Sequence, residues 1–281
     1  MHFSKWQACG NDYLFIDGRT IDIEPIVSRS KEIADRHFGI GADGLIFLMD
    51  SGKADFKMRI FNADGSEAEM CGNGIRSFSK WVYAMGLIQS KTFSIETKAG
   101  ILYPHLLDDG LVRVDMGIPR LEAKDIPVVG FGTKRVIEQP LYCPIDKQDY
   151  SVTCVSMGNP HGVIFVDNAE RVPLTAVGPW FENNEHFPQK VNVEFVSLRG
   201  SNQLRMRVWE RGSGITMACG TGACASVVAA SLLGKVKKEA DVVLDGGMLH
   251  IEWEGLSDSH VYMTGPAEFV FEGEYSLEGE R

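Results

Sequence analysis

Two short segments of this chain repeat one pattern, and that repeat constrains the fold more than any other feature. Met70-Cys71-Gly72-Asn73-Gly74 and Ala218-Cys219-Gly220-Thr221-Gly222 each place a cysteine before Gly-x-Gly, with a run able to form a helix behind it. The two cysteines are 148 residues apart in the sequence. Other pairs share that spacing: Arg59 and Arg207, and Gly10-Asn11 and Gly158-Asn159. Several matches in order at one spacing indicate a duplicated half.

The duplication predicts two domains of similar construction, and a chain of 281 residues is long enough for both. We expect an α+β fold of two pseudo-symmetric domains. Each is expected to be a mixed, mostly antiparallel, barrel-like sheet wrapped around a central helix, with the active site in the cleft between the domains. The expected boundaries place residues 1–117 and 264–281 in the half with Cys71. Residues 118–263 form the half with Cys219.

Apolar periodicity places the main elements. We expect helices over Glu24 to His37, Asn73 to Ala84 and Thr221 to Leu233, and three strands between Phe93 and Met116. The helix after Cys219 is apolar nearly all round, and this pattern is typical of a buried helix.

Composition excludes several classes of protein. The formal net charge of −10 disfavours nucleic acid or an anionic membrane as partner. No run of about 18 apolar residues predicts a membrane span, and the first residues do not resemble a signal peptide. The six cysteines form no dense framework and no Cys-x2-Cys pair, which favours a reducing cytoplasm and no metal site. We expect Cys9, Cys143, Cys154 and Cys224 to be small buried hydrophobes.

The two Cys-Gly-x-Gly elements suit acid–base chemistry. A helix N-terminus stabilises a thiolate, and its N–H groups can hold a carboxylate. A thiolate on one face of a stereocentre could remove an α-proton while a thiol on the other face delivers one. Two alternatives remain open from the residues alone: a pair of helix starts retained by descent, and a redox disulfide between the two cysteines.

The motifs together resemble diaminopimelate epimerase. They are Gly10-Asn11-Asp12-Tyr13, Met70-Cys71-Gly72-Asn73-Gly74-Ile75-Arg76, Met157-Gly158-Asn159-Pro160-His161, Val191-Asn192-Val193, Glu210-Arg211-Gly212 and Ala218-Cys219-Gly220-Thr221-Gly222-Ala223-Cys224. They cover essentially the whole chain, in order. The related proline racemase and hydroxyproline epimerase group typically has His where this chain has Asn73.

The resemblance implies interconversion of LL- and meso-2,6-diaminopimelate without a cofactor or metal, in lysine and peptidoglycan precursor biosynthesis. It implies that Cys71 and Cys219 are the two acid/base residues. It places His161 and Glu210 near the thiols, where they help to set the protonation of the sulfurs. The implied partner is the small-molecule substrate, and a homodimer is possible.

The resemblance also implies a set of substrate contacts. The reacting carboxylate would lie on the N–H groups around Gly72-Asn73 and Gly220-Thr221. The distal amino acid group would contact Asn62, Asn159, Asn192 and Arg211, with Asn11 and Glu210 also lining the site. Arginine forks onto carboxylates, and Asn offers both a donor and an acceptor to a zwitterion. Some family members carry Gln where this chain has Gly44, so Gly44 is left out of the expected site.

Two other functions stay open on the sequence. One is a racemase of another amino acid, of the proline racemase or hydroxyproline epimerase type, against which Asn73 and Arg211 argue. The other is a non-catalytic amino-acid-binding protein, against which the pair of thiols argues, because binding alone needs no sulfur.

Overall fold

The structure is a computed structural model that describes residues 1–132, 134–256 and 258–277. The chain divides into two compact units. Unit 1 comprises Met1–Val114 and Gly265–Arg281, and unit 2 comprises Asp115–Thr264.

Unit 1 is mainly short strands with one long helix. Its strands are β1 (His2–Ala8), β2 (Asn11–Asp17), β3 (Gly44–Met49), β4 (Phe56–Asn62), β5 (Glu67–Ala68), β6 (Ile95–Thr97), β7 (Gly100–Leu102), β8 (His105–Leu106), β9 (Val112–Asp115, at the unit boundary) and β19 (Glu268–Glu274). Its helices are α1 (Glu24–Val27), α2 (Ser30–Ile33) and α3 (Gly72–Ala84).

Unit 2 is built in the same way. Its strands are β10 (Gln139–Cys143), β11 (Gln148–Ser156), β12 (Pro160–Phe165), β13 (Asn192–Leu198), β14 (Gln203–Glu210), β15 (Gly214–Ile215), β16 (Glu239–Val243), β17 (Met248–Trp253) and β18 (Val261–Gly265, at the unit boundary). Its helices are α4 (Leu174–Glu182) and α5 (Gly220–Leu232), with 3-10 turns at Ala123–Asp125 and Ala169–Arg171.

Strand pairing repeats between the units and confirms the duplication. In unit 1, β2 pairs parallel with β3, β3 antiparallel with β4, and β4 parallel with β6. In unit 2, β12 pairs parallel with β13, β13 antiparallel with β14, and β14 parallel with β16. The registers agree as well: Tyr13 lies opposite Gly44, and His161, 148 residues later, lies opposite Asn192.

The sheets are mixed, as expected, but they are open series of strands rather than closed barrels. The sheet of unit 1 runs β19-β1-β2-β3-β4-β6-β7, and the strands of unit 2 run β10-β11-β12-β13-β14-β16-β17-β18. Among the described residues, no pairing joins β19 to β7 or β10 to β18. The α+β class with one long helix against each sheet is confirmed.

The two long helices begin at the repeated motifs and pack on the sheets. Helix α3 contacts β1 and β2, and α5 contacts strands β11 to β14, β16 and β17. From Gly222 to Ala230 every residue of α5 is buried, and most are Ala, Val or Gly. Small side chains let a helix approach a sheet closely on all sides, so the prediction of a buried helix is confirmed.

The expected helix from Glu24 to His37 was wrong, because the segment forms two single-turn helices instead. Ser28 Oγ donates to the Pro25 carbonyl at 2.9 Å, and Ser30 Oγ donates to the Val27 carbonyl at 2.7 Å. Such local bonds compete with helix continuation. Asp35 then accepts the backbone N–H of His37 and of Phe38, each at 2.7 Å, and forms a turn.

Two further features complete the comparison with the sequence. The stretch from Phe93 to Met116 contains four short strands, β6 to β9, rather than three. Among the described residues, no helix combines the length and apolar character that crossing a membrane requires.

Candidate active site

Cys71 stands at the N-terminus of α3 as its capping residue. Its backbone is extended, with φ −138° and ψ 117°, and its Sγ accepts the N–H of Gly74 at 3.3 Å. A short Gly-x-Gly start suits this geometry, because a Cβ on Gly74 would lie 3.3 Å from the Cys71 Cβ. The hydroxyl of Tyr13, from β2, lies 3.3 Å from the sulfur. The thiol is thus held between a helix N-terminus and a phenol, and Cys71 is partly exposed.

A buried hydrogen-bond network supports this helix start. Asn73 is buried, and its Nδ2 donates to Asn11 Oδ1 at 2.5 Å. Its Oδ1 accepts Nη2 of Arg76, a fully buried arginine, at 2.7 Å. Arg76 also donates to the carbonyls of Gly72, at 2.8 Å, and Pro266, at 3.2 Å. The structure therefore brings Asn11, Gly72 and Asn73 together at the first turn beside Cys71.

Cys219 caps α5 in the same way. Its backbone has φ −116° and ψ 107°, and its Sγ accepts the N–H of Gly222 at 3.3 Å. The hydroxyl of Thr221 lies 3.5 Å from the sulfur. Unlike Cys71, Cys219 is buried, with 5% of its surface exposed. The repeated sequence motif is therefore a repeated structure, but the second sulfur is less exposed to solvent than the first.

A chain of polar side chains leads to Thr221 and the Cys219 sulfur. Glu194 Oε1 lies 2.7 Å from His161 Nδ1, and His161 Nε2 lies 3.0 Å from Asn159 Oδ1. Asn159 Nδ2 donates to Thr221 Oγ1 at 3.3 Å. His161 and Glu194 are both fully buried. The structure thus brings His161, Asn159 and Thr221 together beside Cys219.

Burial and two carboxylates raise the pKa of the Cys219 thiol well above its usual range. Burial is the largest cause, and the negative charges of Glu210 and Glu194 add to it. A helix N-terminus lowers a thiol pKa, and the bonds from Thr221 and from the Gly222 N–H act in that direction. They are outweighed, so the helix start does not bring the Cys219 pKa below its usual value.

Glu210 ends β14 close to this thiol. Burial raises the pKa of its carboxyl above the usual value, and a hydrogen bond from the Thr216 hydroxyl partly offsets the rise. The charge of Glu194 also raises the Glu210 pKa, whereas that of His161 lowers it. Glu210 therefore belongs to the same electrostatic cluster as Cys219, His161 and Glu194.

The other expected substrate contacts are divided between the units. Asn192 is buried: its Nδ2 donates to the Pro160 carbonyl and its Oδ1 accepts the Arg211 N–H, each at 2.9 Å. Arg211 is exposed, and its Nη1 donates to the Gln189 carbonyl at 3.1 Å. Asn62 is exposed at the end of β4 and bonds to Ser66 Oγ at 3.0 Å. Gly220 is the buried first residue of α5, as Gly72 is of α3.

The prediction missed Glu194. A signal was present in the sequence, because Glu194 is the one charged residue in the apolar run Val193-Glu194-Phe195-Val196 of β13. A charged residue is rarely fully buried unless it is paired. An acidic residue in such a strand therefore indicates a buried polar partner, which here is His161.

The remaining cysteines behave as the sequence predicted. Cys9, Cys143, Cys154 and Cys224 are all buried. All six cysteines lie within the described residues, and none forms a disulfide.

One group of metal-ligand side chains lies elsewhere on unit 2. Ligand atoms of Glu239, His250 and Glu252, on β16 and β17, lie within 4.8 Å of one another. These side chains are exposed or half-buried, and none belongs to either cysteine site. The expectations of no metal and no cofactor stay predictions.

Comparison with known proteins places the chain in a family. The family model described as diaminopimelate epimerase matches two segments, residues 3–122 and 153–270, and each segment contains one Cys-Gly-x-Gly element. This chain belongs to the diaminopimelate epimerase family. The resemblance seen in the motifs is therefore confirmed.

Curated relatives in the family match along the whole chain. A diaminopimelate epimerase of Synechocystis sp. is 49% identical over 281 residues, which cover 99% of each chain. One of Methanococcus maripaludis is 50% identical and covers 99% of this chain and 100% of its own. One of Moorella thermoacetica is 47% identical with the same coverage.

Solved structures share the fold at low sequence identity. A hydroxyproline epimerase from Agrobacterium vitis superposes with a TM-score of 0.71 at 14% identity, over 99% of this chain and 91% of its own. A phenazine biosynthesis protein of the PhzF family from Bacillus anthracis has a TM-score of 0.70 at 18% identity, over 99% of both chains. At such identities the likeness concerns the fold alone.

Proposed function

We propose that this chain is an isomerase that interconverts LL- and meso-2,6-diaminopimelate, a step of lysine biosynthesis. The observation that carries the proposal is the pair of thiols, Cys71 and Cys219, each capping a buried helix start with the Cys-Gly-x-Gly motif and similar geometry. The chemistry is a two-base proton exchange at the α-carbon. One sulfur removes the proton as a thiolate, and the other delivers a proton as a thiol.

The helix starts support this chemistry beyond the sulfurs. Removal of an α-proton places negative charge on the carbon and its carboxylate. The first-turn N–H groups around Gly72-Asn73 and Gly220-Thr221 would bind that carboxylate, since a helix N-terminus carries a partial positive charge. Donors aimed at developing charge stabilise the transition state more than the ground state.

The distal amino acid group is assigned to Asn62, Asn159, Asn192 and Arg211, with Asn11 also lining the site and Glu210 near the thiols. Asn192 supports this assignment because it holds the backbone N–H of Arg211 at 2.9 Å, which orients the residue that carries the guanidinium. The guanidinium can then fork onto a carboxylate.

The two sulfurs have different roles in the resting protein. The raised pKa of Cys219, caused by burial and the nearby carboxylates, keeps that thiol protonated at neutral pH. We assign Cys219 as the proton donor when the enzyme meets its first substrate. After one turnover the roles reverse, because the donor has lost its proton and the acceptor has gained one.

Three broader assignments accompany the function. The chain acts without pyridoxal phosphate or a metal, since the thiols supply both the acid and the base. It works in the cytoplasm and forms a homodimer. Its two catalytic halves are residues 1–117 with 264–281, and residues 118–263.

The test uses purified protein and LL-diaminopimelate in deuterium oxide, without added pyridoxal phosphate. We expect meso product that carries deuterium at the inverted α-carbon. Cys71→Ala and Cys219→Ala should each lower kcat at least about 100-fold, because each removes one acid/base group. Cys143→Ala is the matched control, a buried cysteine of β10 outside both sites, and should keep wild-type turnover.

Near-normal turnover in either active-site variant would refute the two-base scheme. A panel containing proline and hydroxyproline separates the epimerase from a racemase of that type. Binding of diaminopimelate without deuterium incorporation would indicate a non-catalytic amino-acid-binding protein.

A further inference from the structure

The two cysteine sites differ at one position that the duplication makes directly comparable. Ile46 in β3 and Glu194 in β13 are 148 residues apart, the spacing of the two cysteines. A Cβ on Gly74 would lie 2.9 Å from Ile46 Cδ1, and a Cβ on Gly222 would lie 2.7 Å from Glu194 Oε1. Corresponding places beside the two helix starts therefore hold an alkyl group in unit 1 and a carboxylate in unit 2.

Glu194 is an unusual residue for a strand core. It is fully buried, and its Oε2 accepts no hydrogen bond from any described residue. Its Oε1 has one partner, His161 Nδ1, at 2.7 Å. An apolar residue such as the corresponding Ile46 would fill the space without leaving a carboxylate oxygen unpartnered. Packing alone therefore does not account for a glutamate here.

His161, the hydrogen-bond partner of Glu194, also corresponds to a different residue in unit 1. His161 stands 148 residues after Tyr13, whose hydroxyl lies 3.3 Å from the Cys71 sulfur. His161 reaches its own sulfur through Asn159 and Thr221, at 3.0, 3.3 and 3.5 Å in turn. Unit 2 thus has a relay where unit 1 has a direct phenol contact, and Glu194 lies at the far end of the relay.

When Glu194 is a carboxylate, the donor and acceptor in each hydrogen bond of the relay are fixed. A carboxylate only accepts, so His161 Nδ1 must carry a proton and donate it to Glu194. His161 Nε2 faces the oxygen of Asn159, which also calls for a proton on that nitrogen. Asn159 Nδ2 donates to Thr221, which leaves the Thr221 hydroxyl proton to point at the Cys219 sulfur. From His161 Nε2 onward, each donor then points along the chain toward Cys219.

We propose that Glu194 is a positioning residue of the Cys219 site, which orients His161 and so directs the Asn159–Thr221 relay toward the sulfur. This inference rests on the proposed function, because it concerns the hydrogen bonding of one of the two acid/base thiols. The relay presents a donor to the sulfur when Cys219 loses its proton. Unit 1 needs no such residue, because Tyr13 reaches Cys71 directly.

Glu194→Gln is the informative substitution, since it keeps the volume but can present an NH2 group to His161 Nδ1. We expect kcat for epimerisation to fall about 10- to 100-fold, while KM changes less than about threefold. In 15N-histidine-labelled protein without substrate, the ring N–H signal of His161, assigned with His161→Gln, should shift or disappear. Glu194→Ile, which copies the residue of unit 1, should show the same two effects.

Glu182→Gln is the matched control, because Glu182 is a buried carboxylate of the same unit that accepts Trp209 Nε1 at 2.8 Å. It should leave the His161 ring signal in place. A Glu194→Gln protein with wild-type kcat would overturn the proposal, and so would a loss of kcat with an unchanged ring signal, which indicates a merely structural role. If the wild-type protein does not epimerise diaminopimelate, the proposed function fails, whereas the ring signal still reports whether Glu194 orients His161.

Discussion

At the scale of single residues, the surroundings of the two sulfurs separate two sites that share one motif. Cys71 is partly exposed beside a phenol, whereas Cys219 is buried beside two carboxylates and an imidazole relay. The capping geometry is nearly the same, so the difference in chemistry comes from neighbours supplied by other strands. Asn62 and Glu210, which end β4 and β14, show the same contrast between a neutral and an acidic residue.

The raised pKa of Cys219 leads to a prediction about its reactivity. Only the thiolate is alkylated quickly, so modification of Cys219 should be slow at pH 7 and should accelerate as the pH rises through its raised pKa. Glu210→Gln removes a negative charge near the thiol, so the Cys219 pKa should fall and alkylation at pH 7 should become faster. Iodoacetamide labelling followed by peptide mass spectrometry measures this rate for each cysteine.

The exposed-surface variant Glu254→Gln is a suitable control, because Glu254 follows β17 and pairs with Lys238. Its Cys219 alkylation profile should match that of the wild type. Slower alkylation of Cys219 in Glu210→Gln would contradict the electrostatic explanation.

At the scale of elements, close backbone approach accounts for the glycine that begins β3. Gly44 begins β3 and lies opposite Asn62 of β4. A Cβ at this position would lie 2.3 Å from the Phe61 carbonyl oxygen. Because that oxygen belongs to the backbone, it cannot easily move away. In unit 2 the corresponding residue is Asn192, whose side chain holds Arg211. The same strand start therefore bears a side chain that holds Arg211 in one unit and no side chain in the other.

Gly44→Ala should destabilise the protein by about 1–3 kcal/mol, because the added methyl group forces the β3–β4 pair apart. Gly52→Ala is the matched control, since a Cβ there has no atom within 4 Å. Urea unfolding at pH 7 measures both free energies of unfolding. Equal stability of the two variants would show that β3 and β4 adjust without strain.

At the scale of the whole molecule, two units with one plan each possess a core. The core of unit 2 includes Phe181 and Phe195, and that of unit 1 includes Leu14 and Phe47, all of them fully buried. The strand pairings repeat in order and register, so a single ancestral arrangement accounts for both units. The domain boundaries expected from the sequence remain a proposal.

The proposal of two domains predicts which half of the chain a core substitution destabilises. Phe195→Ala should cost about 3–5 kcal/mol and should increase amide hydrogen exchange within residues 115–264. Phe47→Ala should act in the same way within residues 1–114. An equal increase of exchange throughout the chain in either variant would mean that the two halves open as one cooperative unit.

The sequence by itself determined the duplication, the two helix starts and the identity of the two thiols. Cys-Gly-x-Gly is a local pattern, and a helix start with a capping sulfur forms from residues that are neighbours in the chain. It also predicted the long helices that follow Cys71 and Cys219, but not the break after Val27, where serine hydroxyls compete for helix carbonyls. Only the tertiary structure decided the electrostatics of the second site. Glu194 and Glu210 lie on different strands, β13 and β14, and they add to the effect of burial on the Cys219 thiol. Desolvation depends on everything packed around a group, so no local pattern could have revealed that the Cys219 pKa is raised.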